Sequence, residues 1–197
     1  IETIKQELID FMPYKVLEVD KCEADDIIGV LAHKYGTHNP FDTENNEKIL
    51  ILSGDKDYVQ LQTYWNVNQY NPVRKEYVGK NMSPEDFIKD QIIRGDRGDG
   101  VPNALSADNC LVLGERQGTL SKKRMEKLLA REDLDEVTLS RLERNSQMID
   151  LSRVPDEYKE QIIAQFDEEK VTKDSMFNYF VSKKLKLLMQ HIGEFKR

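Results

Sequence analysis

Apolar and polar positions in the first eighty residues alternate between helical and extended spacing. Ile4, Leu8 and Phe11 fall on one helical face, and Pro13 ends that helix. Lys15 to Val19 reads as a short strand. Glu23 to Tyr35 predicts a helix with Ile27, Ile28, Val30 and Leu31 along one side, its acidic first turn suiting the positive end of the helix dipole. A polar loop containing Gly36, Asn39, Pro40, Asn45 and Asn46 leads into Lys48 to Ser53, the clearest buried strand. Gly54 to Asp57 then reads as a turn and Tyr58 to Leu61 as a short helical piece. Asn66 to Tyr70 and Lys75 to Val78 read as a hairpin across Asn71-Pro72. The order strand, helix, strand over residues 15–53 predicts a parallel pair joined by a right-handed crossover.

The second half is helical. Ser83-Pro84-Glu85-Asp86 has a serine cap followed by proline at the first helical position, and Phe87, Ile88, Ile92 and Ile93 form the apolar face behind it. Further helices are predicted over Leu120 to Ala130, Leu134 to Ile149, Asp156 to Phe166 and Ser175 to Ile192. The change of character places a boundary near residue 82, giving an α/β region, 1–82, and a helical region, 83–197. No repeat or low-complexity segment interrupts either.

Composition narrows the class. The 197 residues are 39% hydrophobic and 33% charged, enough for one full domain or two small ones with real cores. No apolar run approaches the roughly 20 residues of a spanning helix. Cys22 and Cys110 are far apart, which excludes a disulfide framework or a four-ligand zinc site and suits a cytoplasmic protein. The chain begins with Ile1, and its amphipathic first helix does not resemble a signal peptide, so an upstream segment is expected to have been removed.

A net charge of −7 argues at first against nucleic acid, yet seven acids in three tight groups account for all of it. The groups are Glu23, Asp25 and Asp26; Asp55 and Asp57; Asp96 and Asp99. Basic residues gather elsewhere, at Lys122, Lys123, Arg124, Lys127 and Arg131, and at Lys183, Lys184 and Lys186. The first two acidic groups follow predicted strands, where the loops of an α/β sheet bind ligands. The third lies in Gly95-Asp96-Arg97-Gly98-Asp99-Gly100, whose glycines permit tight turns. Taken singly, each group has a plain reading as helix caps, an Asx turn or a solvated turn. Gathered in one cleft, so many carboxylates require cations, and hard divalent ions, Mg²⁺ above all with Mn²⁺ as a substitute, match oxygen ligands.

Glu23-Ala24-Asp25-Asp26, Ser53-Gly54-Asp55-Lys56-Asp57 and Gly95-Asp96-Arg97-Gly98-Asp99-Gly100-Val101-Pro102 resemble the ordered acidic motifs of the flap endonuclease and 5′-nuclease family. Gly114-Glu115-Arg116 and the stretches Met148 to Asp150 and Val154 to Asp156 are similar to its T-even phage ribonuclease H branch. The resemblance implies an incomplete parallel-sheet, PIN-like nuclease core followed by a helical DNA-binding domain. It implies a two-Mg²⁺ phosphodiesterase that removes RNA primers and 5′ flaps from duplex DNA during replication. Residue by residue, it implies metal-site roles for Glu23, Asp25 and Asp55 on one side and Asp57, Asp96 and Asp99 on the other. Asp25, Asp55, Asp57 and Asp99 are the implied catalytic set, with Asp26 capping the helix or holding a neighbour by a hydrogen bond. Implied partners are flapped duplex DNA or RNA–DNA hybrid, with a single-stranded DNA-binding protein or a sliding clamp beside them, in the cytoplasm of an infected bacterium. The family's first strand, with its own metal-binding Asp, would precede Ile1, so this stretch alone is expected to be a C-terminal portion that cleaves poorly.

In Ser121 to Arg131, Met125, Leu128 and Leu129 are predicted to face inward, leaving Lys122, Lys123, Arg124, Lys127 and Arg131 for duplex phosphates. Lys183, Lys184 and Lys186 read as a solvated helix face. His33, His38 and His191 form no spaced pair and read as surface or core residues, while Tyr64, Trp65 and Tyr70 read as core. Two rivals fit parts of the pattern: a Mg²⁺-binding receiver domain with a phosphoacceptor Asp, which leaves Asp96 and Asp99 without a use, and a non-catalytic duplex-binding module built from the helical half.

Overall fold

The computed structural model describes residues 1–42, 47–79, 82–169 and 176–195. They gather into two compact units, Ile1–Lys21 with Glu160–Arg197, and Cys22–Lys159. The expected division near residue 82 falls inside the second unit. Asn45, Asn46 and Ser175 lie outside the described residues. Among the described residues no helix is long and apolar enough to cross a membrane.

In the first unit, α1 (Glu2–Phe11) ends at Met12, as Pro13 requires. Its Phe11 ring stacks on Tyr179 with centroids 4.5 Å apart, whereas Ile4 is exposed. The strand expected at Lys15 to Val19 does not form. The Gln165 side chain takes both backbone groups of Glu18, accepting from its N–H at 2.9 Å and donating to its carbonyl at 3.2 Å, so the segment is held without a strand partner. The single helix expected over Ser175 to Ile192 is also interrupted. It forms α7 (Met176–Ser182) and α8 (Lys186–Gln190), separated where Lys184 adopts a left-handed φ of 57°. There the Leu185 N–H reaches the Phe180 carbonyl and the Lys184 N–H reaches that of Val181, the Schellman pattern that closes a helix.

The second unit carries the sheet. β1 (Ile49–Leu52) pairs in parallel with β2 (Val67–Asn71), which pairs antiparallel with β3 (Glu76–Tyr77). The parallel partner of β1 is therefore β2, reached through a 3₁₀ helix, Lys56–Thr63, instead of a strand before the first acidic group. β1 is covered on one face only: Ile51 is buried, while Leu50 and Leu52 are 49% and 64% exposed, so the strand is not buried throughout as its run of Ile and Leu suggests. On the covered face Ala32 of α2 (Ala24–Tyr35), Ile51, Tyr58, Leu61, Val67 and Leu151 form one core. Gly29 makes this packing fit, because a Cβ there would lie 2.9 Å from the Leu151 Cβ.

A second core joins Ile93 of α3 (Pro84–Arg94), Ala104, Leu128 of α4 (Lys122–Ala130) and Leu142 of α5 (Glu136–Ile149). Side-chain caps start all three helices: Ser83 accepts from the Asp86 N–H, Ser121 from that of Arg124 and Asp135 from that of Thr138. α6 (Asp156–Asp167) follows after Pro155.

Candidate acidic active site

Three loops of the second unit carry the acids, and each is pinned by buried amides or backbone geometry. At the start of α2, Asp26 Oδ2 accepts from the Glu23 N–H at 2.9 Å, the capping interaction expected of an acid in the first turn. Asp25, one residue earlier, receives the hydroxyl hydrogen of Tyr58, whose ring is buried in the first core. After β1, the buried Gln69 amide donates to the carbonyls of Ser53 and Asp55 at 2.9 and 2.6 Å. Asp55 then accepts from the Asp57 N–H at 3.0 Å, which starts the 3₁₀ helix and turns Asp57 inward.

The third loop follows α3. Gly95 has φ +67°, and a Cβ there would strike the Val101 carbonyl oxygen at 2.4 Å, so the turn requires glycine. Asp96 accepts from the Gly98 N–H through Oδ1 at 2.8 Å and from the Val101 N–H through its carbonyl at 2.7 Å. Asn145, fully buried, donates to the carbonyls of Ile92 and Pro102 at 2.7 and 2.9 Å, and Arg144 adds a bond to Pro102 at 2.9 Å. Both ends of the loop are thereby fastened to α5.

The carboxylates form two sets. One ligand oxygen each from Asp25, Asp55 and Asp57 lie within 4.8 Å of one another, and the same holds for Asp57, Asp96 and Asp99. Asp57 belongs to both. Asp25, Asp57, Asp96 and Asp99 line a cleft of about 240 Å³, with Asp55 beside it and outside its lining; Glu23 and Asp26 also line it but stand outside the two sets, and Gln91, Val101, Met148, Ile149 and Leu151 complete its wall. Burial, followed by the neighbouring Asp55 charge, pushes the Asp57 carboxyl up to about 6; Asp96 and Asp99 add to the rise and Lys56 opposes it. Asp96 moves the other way: the Lys56 ammonium, 2.5 Å from Oδ2, holds its carboxyl below the usual range and is itself raised by the contact. Clustered oxygen donors sharing a half-buried acid form a donor set suited to hard divalent cations.

The basic residues of α4, Lys122, Lys123, Arg124 and Lys127, and Arg131 at its C-terminal cap, are exposed. Arg124 donates to the Thr119 carbonyl at 3.0 Å and Lys127 lies 3.7 Å from Asp133. Leu128 is buried and Met125 packs on the second core, but Leu129, expected inward, is 46% exposed because it lies about 100° around the helix from Leu128, off the face that meets Ile93 and Leu142. Trp65, expected in the core, is also exposed: it follows the 3₁₀ helix, and its neighbours Asn66 and Val67 are buried instead. His33 meets the Tyr64 hydroxyl at 2.6 Å, and burial lowers its pKa. His38 and His191 lie on the surface. Lys183 pairs with Glu7.

Sequence spacing did not single out Tyr58, Gln69, Arg144 or Asn145 for the site. Tyr58 lies one residue from Asp57, so its place beside the motif is a usable signal. The amides act across 14 to 53 residues, a separation that local pattern cannot convey.

The description "T4 RNase H, C terminal" fits residues 82–195, and "5′-3′ exonuclease, N-terminal resolvase-like domain" fits residues 1–91. Ribonuclease H of Enterobacteria phage T4 is 32% identical over 96% of this chain and 63% of its own length. DNA polymerase I of Streptococcus pneumoniae (strain ATCC BAA-255 / R6) is 31% identical over 57% of this chain and 12% of its own. A 5′-3′ exonuclease of Buchnera aphidicola subsp. Acyrthosiphon pisum (strain APS) is 32% identical over 49% of this chain and 33% of its own. The chain thus spans less than two thirds of each of these relatives.

Proposed function

Because the chain belongs to the 5′-3′ exonuclease and phage RNase H family, we propose that it acts in structure-specific 5′ nuclease chemistry, hydrolysing phosphodiesters of 5′-flapped duplex DNA and RNA–DNA hybrids with Mg²⁺. The observation that carries the reading is the sharing of Asp57 by two three-carboxylate sets, of which Asp25, Asp57, Asp96 and Asp99 line one cleft. Asp25, Asp55 and Asp57 would hold one divalent cation, and Asp57, Asp96 and Asp99 a second, with Glu23 at the rim and Asp26 capping α2. Bound there, such cations supply an activated water and a counter-charge for the leaving oxygen. The chain's own residues do the rest. Gln69, Tyr58 and Asn145 keep the three loops in register, so the carboxylates need little rearrangement when they are used.

Lys122, Lys123, Arg124, Lys127 and Arg131 would hold duplex backbone, since exposed cations on one helix suit phosphates without reading sequence. A junction between nuclease core and helical domain near residue 82 accords with this reading: the two family regions overlap over residues 82–91. The test is a cleavage assay with the full-length protein on a 5′-flapped duplex and an RNA–DNA hybrid, in Mg²⁺ and in chelator. Release of short products from the 5′ side in Mg²⁺ alone is expected; cleavage that survives chelation would contradict the reading.

A further inference from the structure

Lys56 stands between two candidate ligands, Asp55 and Asp57, yet its side chain crosses to the third loop and places Nζ 2.5 Å from Asp96 Oδ2. The other Asp96 oxygen is taken by the Gly98 N–H. Both faces of this carboxylate are therefore engaged, one by a neutral donor and one by a charge. Among the described residues no ion pair of this kind is made by Asp25 or Asp55 of the other set, which the Lys56 charge reaches through the shared Asp57. Asp25 receives a hydroxyl from Tyr58 and Asp55 receives the Asp57 N–H, both of which orient a carboxylate without cancelling its charge. The Lys56 side chain is half exposed while that of Asp96 is 15% exposed, so the ammonium can swing into solvent and the carboxylate cannot follow.

We propose that Lys56 is a resident counter-ion of the Asp57–Asp96–Asp99 set, competing with a divalent cation for Asp96 and so weakening that set relative to the Asp25–Asp55–Asp57 set. The inference rests on the metal-site reading above. An ammonium offers one charge and no fixed coordination geometry, so it stabilises the clustered acids while yielding to a cation of higher charge. The motif that supplies two candidate ligands thereby also supplies their competitor.

The experiment titrates Mn²⁺ alone into the protein and follows the free-ion signal by electron paramagnetic resonance, for wild type, Lys56→Met and Lys56→Arg. Circular dichroism confirms that each is folded. Two classes of bound ion are expected in wild type. Lys56→Met should tighten the weaker class by roughly tenfold or more, from loss of the direct ion pair with Asp96, and tighten the other class by several-fold less, through the shared Asp57 alone. Lys56→Arg should stay near wild type. Two ions with affinities unchanged in Lys56→Met would overturn the competition while leaving the metal sites standing. Weaker binding in Lys56→Met would overturn it too, as would tightening of both classes alike. Absence of bound Mn²⁺ in every variant would remove the metal-site reading and the proposal together.

Discussion

Tyr58, 3% exposed, donates its hydroxyl hydrogen to Asp25, linking the apolar core beneath the sheet to the first carboxylate of the cleft. Burial, and then the bond to Asp25, raise the phenol's pKa, so it remains a donor at every working pH. Hydrogen bonds to charged groups contribute about 1.5–3 kcal/mol. Tyr58→Phe keeps the ring and removes the bond, so urea unfolding should show a loss of roughly 1–3 kcal/mol, and Asp25, no longer oriented, should bind Mn²⁺ less tightly. Unchanged stability and affinity would mean that the contact orders nothing.

Asp57 predicts how the cation-free protein responds to pH. Its carboxyl is raised from 3.8 to about 6, so between those values the unfolded chain releases a proton that the folded chain keeps. The contribution is fully present below pH 3.8 and is lost as pH rises through about 6. After allowance for solvent screening at a half-buried site, Asp57→Asn should stabilise the protein by about 1–2 kcal/mol at pH 7.5 in chelator, with the gain fading toward pH 4. Urea titrations at the two pH values check this; a gain equal at both would show that ionisation is not the cause.

Asn145 has no exposed surface and bonds two carbonyls that flank the third acidic loop. Asn145→Ala leaves both without that donor and opens a small cavity, so a loss of about 2–4 kcal/mol in urea unfolding is expected. Amide exchange in residues 95–102 should accelerate with it. A loss under 0.5 kcal/mol, within the ordinary range of surface substitutions, would place the loop's support elsewhere.

For α4, replacing Lys123, Arg124 and Lys127 with Ala should weaken duplex binding equally for all sequences. Each phosphate contact removed lowers the log–log salt slope by about one unit. Binding isotherms from low to moderate salt provide the measurement, and an unaltered slope would return the helix to ordinary solvated surface.

The parts of the fold that the sequence made legible are those set by local chemistry. Ser83-Pro84 starts α3, the alternation around Asn71-Pro72 gives the β2–β3 hairpin, and the acidic turn of α2 caps itself through Asp26. Elements that depend on distant partners were not legible. Lys15 to Val19 has strand composition, but Gln165 occupies its backbone; the last helix has helical composition, but Lys184 turns left-handed inside it. The same divide runs through the site. Spacing shows three acidic segments, whereas the sharing of Asp57 between two sets, and the reach of Lys56 and Asn145, follow from how the loops are brought together.

If Asp57 is the carboxylate common to two cation sites of a phosphodiesterase, turnover of a 5′-flapped duplex in Mg²⁺ by full-length wild type and Asp57→Asn is the comparison that decides it. Loss of both sets at once should lower turnover by more than roughly 100-fold, the scale of removing one transition-state-stabilising group, while duplex affinity stays within a few-fold. Turnover of Asp57→Asn within about tenfold of wild type, with the duplex still bound, would show that Asp57 is not a shared metal ligand of the reaction.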